Sequence, residues 1–139
     1  MLLGGLLLAT AALAGCTATG APSPSPTASA SDVTGLPKGV QQATDVPTDV
    51  VNTPALRGSV EITECSAADG GWKAEGTAKN TGDAAKTYTI TVFFTTDHGT
   101  VIGTGDTKVD VEPGKTEDWT VAAKLTPAPK TLCVLRGVG

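Results

Sequence analysis

From Arg57 onward, short runs of alternating apolar and polar residues are separated by Gly, Asn, Asp and Pro, the pattern of an all-β sandwich. Six strands can be marked. In Gly58–Cys65, Val60 and Ile62 face one way and Glu61 and Thr63 the other; Asp69-Gly70-Gly71 then turns the chain. Trp72–Asn80 sets Trp72, Ala74, Gly76 and Ala78 against Lys73, Glu75, Thr77 and Lys79, a clean half-buried alternation. After the Asn80-Thr81-Gly82-Asp83 turn, Lys86–Thr95 turns Tyr88, Ile90, Val92 and Phe94 inward. Phe93 falls on the outward face, either as a contact surface or, more commonly for a lone aromatic, under a loop or the N-terminal segment. Asp97-His98-Gly99 leads into a fourth strand that begins at Thr100–Gly103 and resumes at Lys108–Val111. Gly103-Thr104-Gly105 between them predicts a bulge or an edge. Glu112-Pro113-Gly114-Lys115 matches a type II turn, and Thr116–Leu125 points Trp119, Val121, Ala123 and Leu125 inward. Thr131–Arg136 closes the domain.

The first half of the chain reads differently. Leu2 to Ala14 is an uncharged apolar run, too short to span a bilayer core as a helix and suited to a signal-peptide h-region. Met1 to Ala14 carries no Lys or Arg, so either the true start lies upstream or the start is atypical. Thr17 to Ser31 is almost wholly Thr, Ala, Ser, Pro and Gly, which cannot bury a core and predicts a disordered, semi-rigid spacer. The same composition suits an O-glycosylated stalk. In 32–56, Val33, Leu36, Val40, Val46, Val50, Val51 and Leu56 are interrupted by Pro37, Pro47 and Pro54. Irregular coil is expected there, with one short turn around Thr48–Asn52 capped by Asp49 and the valines packed partly onto the domain. The organisation is therefore a signal peptide (1–15), a linker (16–31), an irregular segment (32–56) and the sandwich (57–139).

Leu13-Ala14-Gly15-Cys16 resembles the lipobox of bacterial lipoprotein precursors. The resemblance implies cleavage before Cys16 and diacylglycerol on its thiol, and so a lipid-anchored protein on the extracytoplasmic side of the cell membrane. Two acyl chains hold far more firmly than one. That compartment is oxidising, and three cysteines less Cys16 leave Cys65 and Cys133 as one disulfide. Closing so long a loop stabilises the fold by roughly 4 kcal/mol in the chain-entropy account.

A net charge of −4 argues against nucleic-acid binding, which needs clustered Lys and Arg. Acidic Asp106, Asp110, Glu112, Glu117 and Asp118 are interleaved with Lys108 and Lys115, an ordinary solvated surface. No nucleophile elbow, zinc-protease helix motif, P-loop or Cys-x-x-Cys occurs, and His98 is the single histidine, so no enzyme, cofactor or zinc site is expected. Asp97, Asp106 and Asp110 could meet in space, and the Asp97 and Asp106 loops offer oxygen ligands for calcium, although turn-forming Asp explains them more simply.

The run Gly76-Thr77-Ala78-Lys79-Asn80-Thr81-Gly82, then Tyr88 to Phe94, Asp97 to Gly105 and Val111-Glu112-Pro113-Gly114, resembles the FxLYD-type extracellular domain. Phe93 and Asp97 match the first and last letters of that signature, and Thr95 and Thr96 stand where Leu and Tyr are expected. The resemblance covers Arg57 to Val138 and implies an immunoglobulin-like β-sandwich of about six to seven strands on an envelope protein. It brings no catalytic residues. The expected function is a non-catalytic binding or scaffold module, monomeric, contacting an envelope protein or cell-wall component through a strand edge or the loops at one end. Phe93, Asp97 and His98 are candidate contacts. The alternative is a small-ligand or calcium-binding lipoprotein.

Overall fold

The computed structural model describes residues 35–139. Six strands form there: β1 (Val60–Ala68), β2 (Gly71–Lys79), β3 (Lys86–Thr96), β4 (Val101–Val111), β5 (Thr116–Lys124) and β6 (Thr131–Val138). They make two antiparallel three-stranded sheets, ordered β1-β2-β5 and β4-β3-β6. This is an all-β sandwich of six strands.

The alternation that predicted the strands also fills the interior. Ala74, Ala78, Tyr88, Ile90, Val92, Phe94, Val111, Trp119 and Val121 are buried between the sheets. A large apolar side chain contributes roughly 1.5–3 kcal/mol by leaving water. Gly76 lies under Trp119, where a Cβ would come within 2.5 Å of the indole ring. At Glu112–Lys115 the positive φ of 71° at Gly114 and the Lys115 N–H donated to Glu112 O at 3.0 Å fit the predicted turn.

Three strands each carry one extra residue. In β1, Ile62 pairs with Gly76 and Glu64 with Glu75, which leaves Thr63 as a bulge. In β4 the extra residue is Ile102, beside the predicted Gly103-Thr104-Gly105 irregularity, and β4 otherwise runs unbroken. In β6 it is Arg136. Each bulge reverses which face the following side chains occupy. The bulge at Thr63 turns Cys65 inward opposite β6, and the one at Arg136 turns Val138 into the core.

The Cys65–Cys133 disulfide joins β1 to β6, edge strands of opposite sheets, with Cα atoms 5.8 Å apart. Cys65 is not at the end of its strand as the sequence suggested, because β1 continues to Ala68. The bridge closes one side of the sandwich.

The segment before β1 crosses the outer face of the second sheet. Val40 is buried against the core, and the Ala43 N–H donates to Val101 O at 2.9 Å on the β4 edge. The Thr53 N–H donates to Val138 O at 2.7 Å on the β6 edge. Between these points Val50 and Val51 lie over Gly137, where a Cβ would sit 2.5 Å from both Val50 Cγ1 and Val51 O. Val40 is buried and Val46 and Val50 are half-buried, as expected, while Val51 stays largely exposed and Val33 lies outside the described residues; the turn expected at Thr48–Asn52 does not form. A helical turn, α1 (Pro54–Arg57), takes its place, with Thr53 as N-cap and no side-chain cap bond. Pro54 begins this turn because a proline in the first helical position needs no N–H partner and already has helical φ.

Candidate functional site

The four sheet edges are the first surfaces to consider, since an exposed edge can accept a partner strand. β1 is bulged and crosslinked to β6. β6 is bulged, and its Leu135 and Val138 carbonyls accept hydrogen bonds from the Arg57 guanidinium at 2.6 Å and the Thr53 N–H at 2.7 Å. β4 lies against β5, and glycine permits that approach. A Cβ at Gly103 would be 2.5 Å from Leu125 Cδ2, and one at Gly105 would be 2.7 Å from Val121 Cγ1. The edges are thus blunted by bulges, the crosslink, the N-terminal segment and each other, which leaves faces and loops as the surfaces on offer.

The two outer faces differ in that the second, otherwise carrying Thr87, Thr89, Thr91, Thr104, Asp106, Lys108 and Asp110, also holds exposed apolar side chains. On the first sheet, β1, β2 and β5 turn outward Glu61, Glu64, Ser66, Lys73, Glu75, Thr77, Asp118 and Thr120. Lys73 is held there by Glu75 at 2.7 Å and Glu64 at 3.7 Å. Its pKa is raised, first by the hydrogen bond to Glu75. The Glu64 carboxyl is held below its ordinary value, first by the Ser66 hydroxyl donating at 2.6 Å and then by the Lys73 charge. This face is a solvated polar carpet.

The outer face of the second sheet carries the exposed apolar surface. Leu132 and Val134 project from β6 at 39% and 42% exposure, and Val51 of the crossing segment is 68% exposed. Beside them lies Phe93, cross-strand from Val134 and only 8% exposed. The Arg136 guanidinium sits 5.8 Å from the centre of the Phe93 ring, the geometry of a cation–π contact. On its other flank Phe93 pairs with Thr104, whose hydroxyl donates to Asp45 O of the crossing segment at 3.5 Å. Phe93 is therefore outward-facing but covered, as the commoner of the two sequence readings held. It supports a surface rather than forming one.

Asp97 and His98 occupy the exposed β3–β4 turn, 3.6 Å apart. Thr96 organises that turn, its buried hydroxyl accepting the His98 and Thr100 N–H groups at 3.3 and 3.2 Å. The pair borders a 240 Å³ hollow lined by Pro37, Ala128, Pro129 and Lys130. Phe93 does not join Asp97 and His98 in one surface, because it is buried within β3 while they lie in the turn beyond that strand. Asp106 and Asp110 are in β4, not in loops, and the three aspartates do not converge. Among the described residues no group of three or more His, Cys, Asp or Glu side chains could hold a metal ion. A second hollow of 270 Å³ between the crossing segment and the sheet is lined by Pro47, Asp49, Val50, Val51, Thr89, Thr91 and Asp106. Cys16 and the lipobox lie outside the described residues.

Sequence reasoning missed Leu132, Val134 and Arg136 as surface residues. Their alternation in a closing strand gave a face but no sign of which residues would stay uncovered. It also missed Asn80, a fully buried polar residue whose amide donates to Ala84 O at 2.8 Å and Val111 O at 2.9 Å and accepts the Gly82 N–H at 2.9 Å. Asn80 fastens the β2–β3 turn to the end of β4 and is structural. No family model, curated protein or solved structure matches the chain.

Proposed function

We propose that this protein is a lipoprotein anchored through Cys16 to the extracytoplasmic side of the cell membrane, whose immunoglobulin-like domain is a non-catalytic binding or scaffold module for an envelope partner. One observation carries the binding role: Leu132 and Val134 stand exposed on the outer face of the second sheet while the opposite outer face is polar. Apolar side chains gathered on one face mark a protein contact where they form a contiguous patch, and Leu132, Val134 and Val51 are the exposed large apolar residues gathered on this one. The dispersal of Asp97, Asp106 and Asp110 favours this reading over an enzyme or a calcium-binding protein. The lipobox resemblance of Leu13-Ala14-Gly15-Cys16 supports the anchor, and the FxLYD resemblance supports the envelope setting.

Two experiments test it. Full-length protein is expected to partition into detergent, and the Cys16→Ser variant into the aqueous phase; a variant that still partitions into detergent contradicts the anchor. A photo-crosslinking residue at Val134, in native membranes, is expected to capture a discrete protein or cell-wall fragment that the same residue at Thr77 does not. Equal yields from both positions would remove the assigned surface.

A further inference from the structure

We infer that the partner is a protein segment that lays a long cationic side chain, Lys or Arg, into the hollow between the crossing segment and the second sheet, its aliphatic stem on Val50 and Val51 and its charge at Asp49 and Asp106. This rests on the binding role proposed above and names the chemistry of the partner.

The hollow has two kinds of wall. Pro47, Val50 and Val51 are apolar, and Asp49 and Asp106 bring carboxylates from two different elements, the crossing segment and β4. Its 270 Å³ lie just under the roughly 300–1,000 Å³ of small-molecule pockets, a size for one side chain and not for a whole ligand. Lysine and arginine match both walls, because they bury a methylene stem on apolar surface while the charged end stays in a polar setting. The two carboxylates have no other partner among the described residues. Asp45 and Asp110 accept the Thr44 and Thr87 hydroxyls, whereas Asp49 and Asp106 accept no side-chain hydrogen bond and enter no ion pair there.

Charge complementarity points the same way. Asp45, Asp49, Asp106 and Asp110 border this outer face against two cations, Lys108 and Arg136, and neither cation lines the hollow. A surface with that surplus of negative charge attracts a cationic segment and rejects an acidic one. The outer face of the first sheet is acidic too, with Glu61, Glu64, Glu75 and Asp118 against Lys73, but no large apolar side chain is exposed on it among the described residues. Only the second sheet offers both halves of the match: Val51, which lines the hollow and is 68% exposed, shares its face with Leu132 and Val134.

The test uses the full chain in nanodiscs and three fluorescent peptides of Val, Ser and Thr that differ in one central residue, Lys, Gln or Glu. The Lys peptide is expected to bind about tenfold tighter than the Gln peptide, which two partly exposed ion pairs supply together, with the Glu peptide weakest. That preference should shrink as salt rises. Asp49→Asn and Asp106→Asn should each reduce the preference for Lys over Gln and the double variant abolish it, with the melting temperature within a few degrees; Asp118→Asn, on the opposite face, should leave it unchanged. Equal binding of the Lys and Gln peptides, weak or tight, overturns the inference. So does a Lys preference that survives in the double variant or falls as far in Asp118→Asn. A Val134 crosslink to a partner segment lacking Lys and Arg leaves the binding role standing and overturns the cationic ligand. Loss of the position-specific crosslink removes the binding role itself.

Discussion

Replacing Asn80 by Ala should cost the fold about 3–4 kcal/mol, and the figure can be built from its contacts. The side chain makes three hydrogen bonds, and its own N–H and carbonyl bond Lys115 O and the Gly114 N–H at 2.9 and 2.8 Å. The backbone bonds survive the substitution. The bond to Val111 O is buried, so truncation strands that carbonyl at about 1–3 kcal/mol. The Ala84 carbonyl and Gly82 N–H lie in a part-buried turn that water can reach, and losing each bond costs about 0.5–1.5 kcal/mol. Against a total stability of about 5–15 kcal/mol for a typical domain, this is a large fraction. Urea unfolding of the disulfide-intact protein should show the midpoint falling by about 2 M at unchanged slope. Asn80→Asp should be at least as damaging, since its carboxylate would face the Ala84 and Val111 carbonyls. A loss below about 1 kcal/mol for Asn80→Ala would show that water replaces the amide and would refute the reasoning.

Three further outcomes follow from the same geometry. Reducing the Cys65–Cys133 bond, which closes 68 residues of sequence separation, should lower stability by about 4 kcal/mol in the chain-entropy account, measured by urea unfolding with and without reductant; titratable free thiols in the unreduced folded protein would contradict the bridge. Gly137→Val should lift the segment above it, because a Cβ there meets Val50 Cγ1 and Val51 O at 2.5 Å, and limited proteolysis should then cut between residues 43 and 52 before the sandwich; unchanged cleavage would show that the segment does not depend on that gap. Glu64 should titrate below ordinary glutamate by NMR and move back toward it in Ser66→Ala. A depressed folded pKa stabilises at pH above the unfolded value and loses that contribution as pH falls through the folded one. Lys73, raised, contributes below its unfolded value and loses it as pH rises through the folded one.

The strands were legible because alternation reports half-burial directly. Tyr88, Ile90, Val92 and Phe94 are inward for the reason their spacing suggested, and so are Trp119 and Val121. The irregularity in β4 was legible from Gly103-Thr104-Gly105, within one residue of the bulge at Ile102, but the bulges in β1 and β6 were not, because an extra residue leaves no compositional trace when it is Thr63 or Arg136. Unbroken alternation from Val60 and Ile62 would have put Cys65 on the outward face; the bulge brings it to Cys133. The crossing segment was half legible. Its valines announced packing, but Pro54 reads equally as a helix breaker and as a helix start. The candidate surface depends on what that segment leaves uncovered. Covered Phe93 and exposed Leu132 and Val134 therefore follow from a tertiary path that alternation alone does not encode.

The central claim, that the outer face of the second sheet is where this protein meets its partner, is tested most directly by hydroxyl-radical footprinting of the full-length protein in native membranes and after purification. Leu132 and Val134 should be labelled several-fold more slowly in membranes, while Lys73, Glu75 and Thr77 on the opposite sheet change little. Equal labelling of Leu132 and Val134 in both states, or protection confined to the Asp97-His98 turn, would contradict the account and move the contact elsewhere.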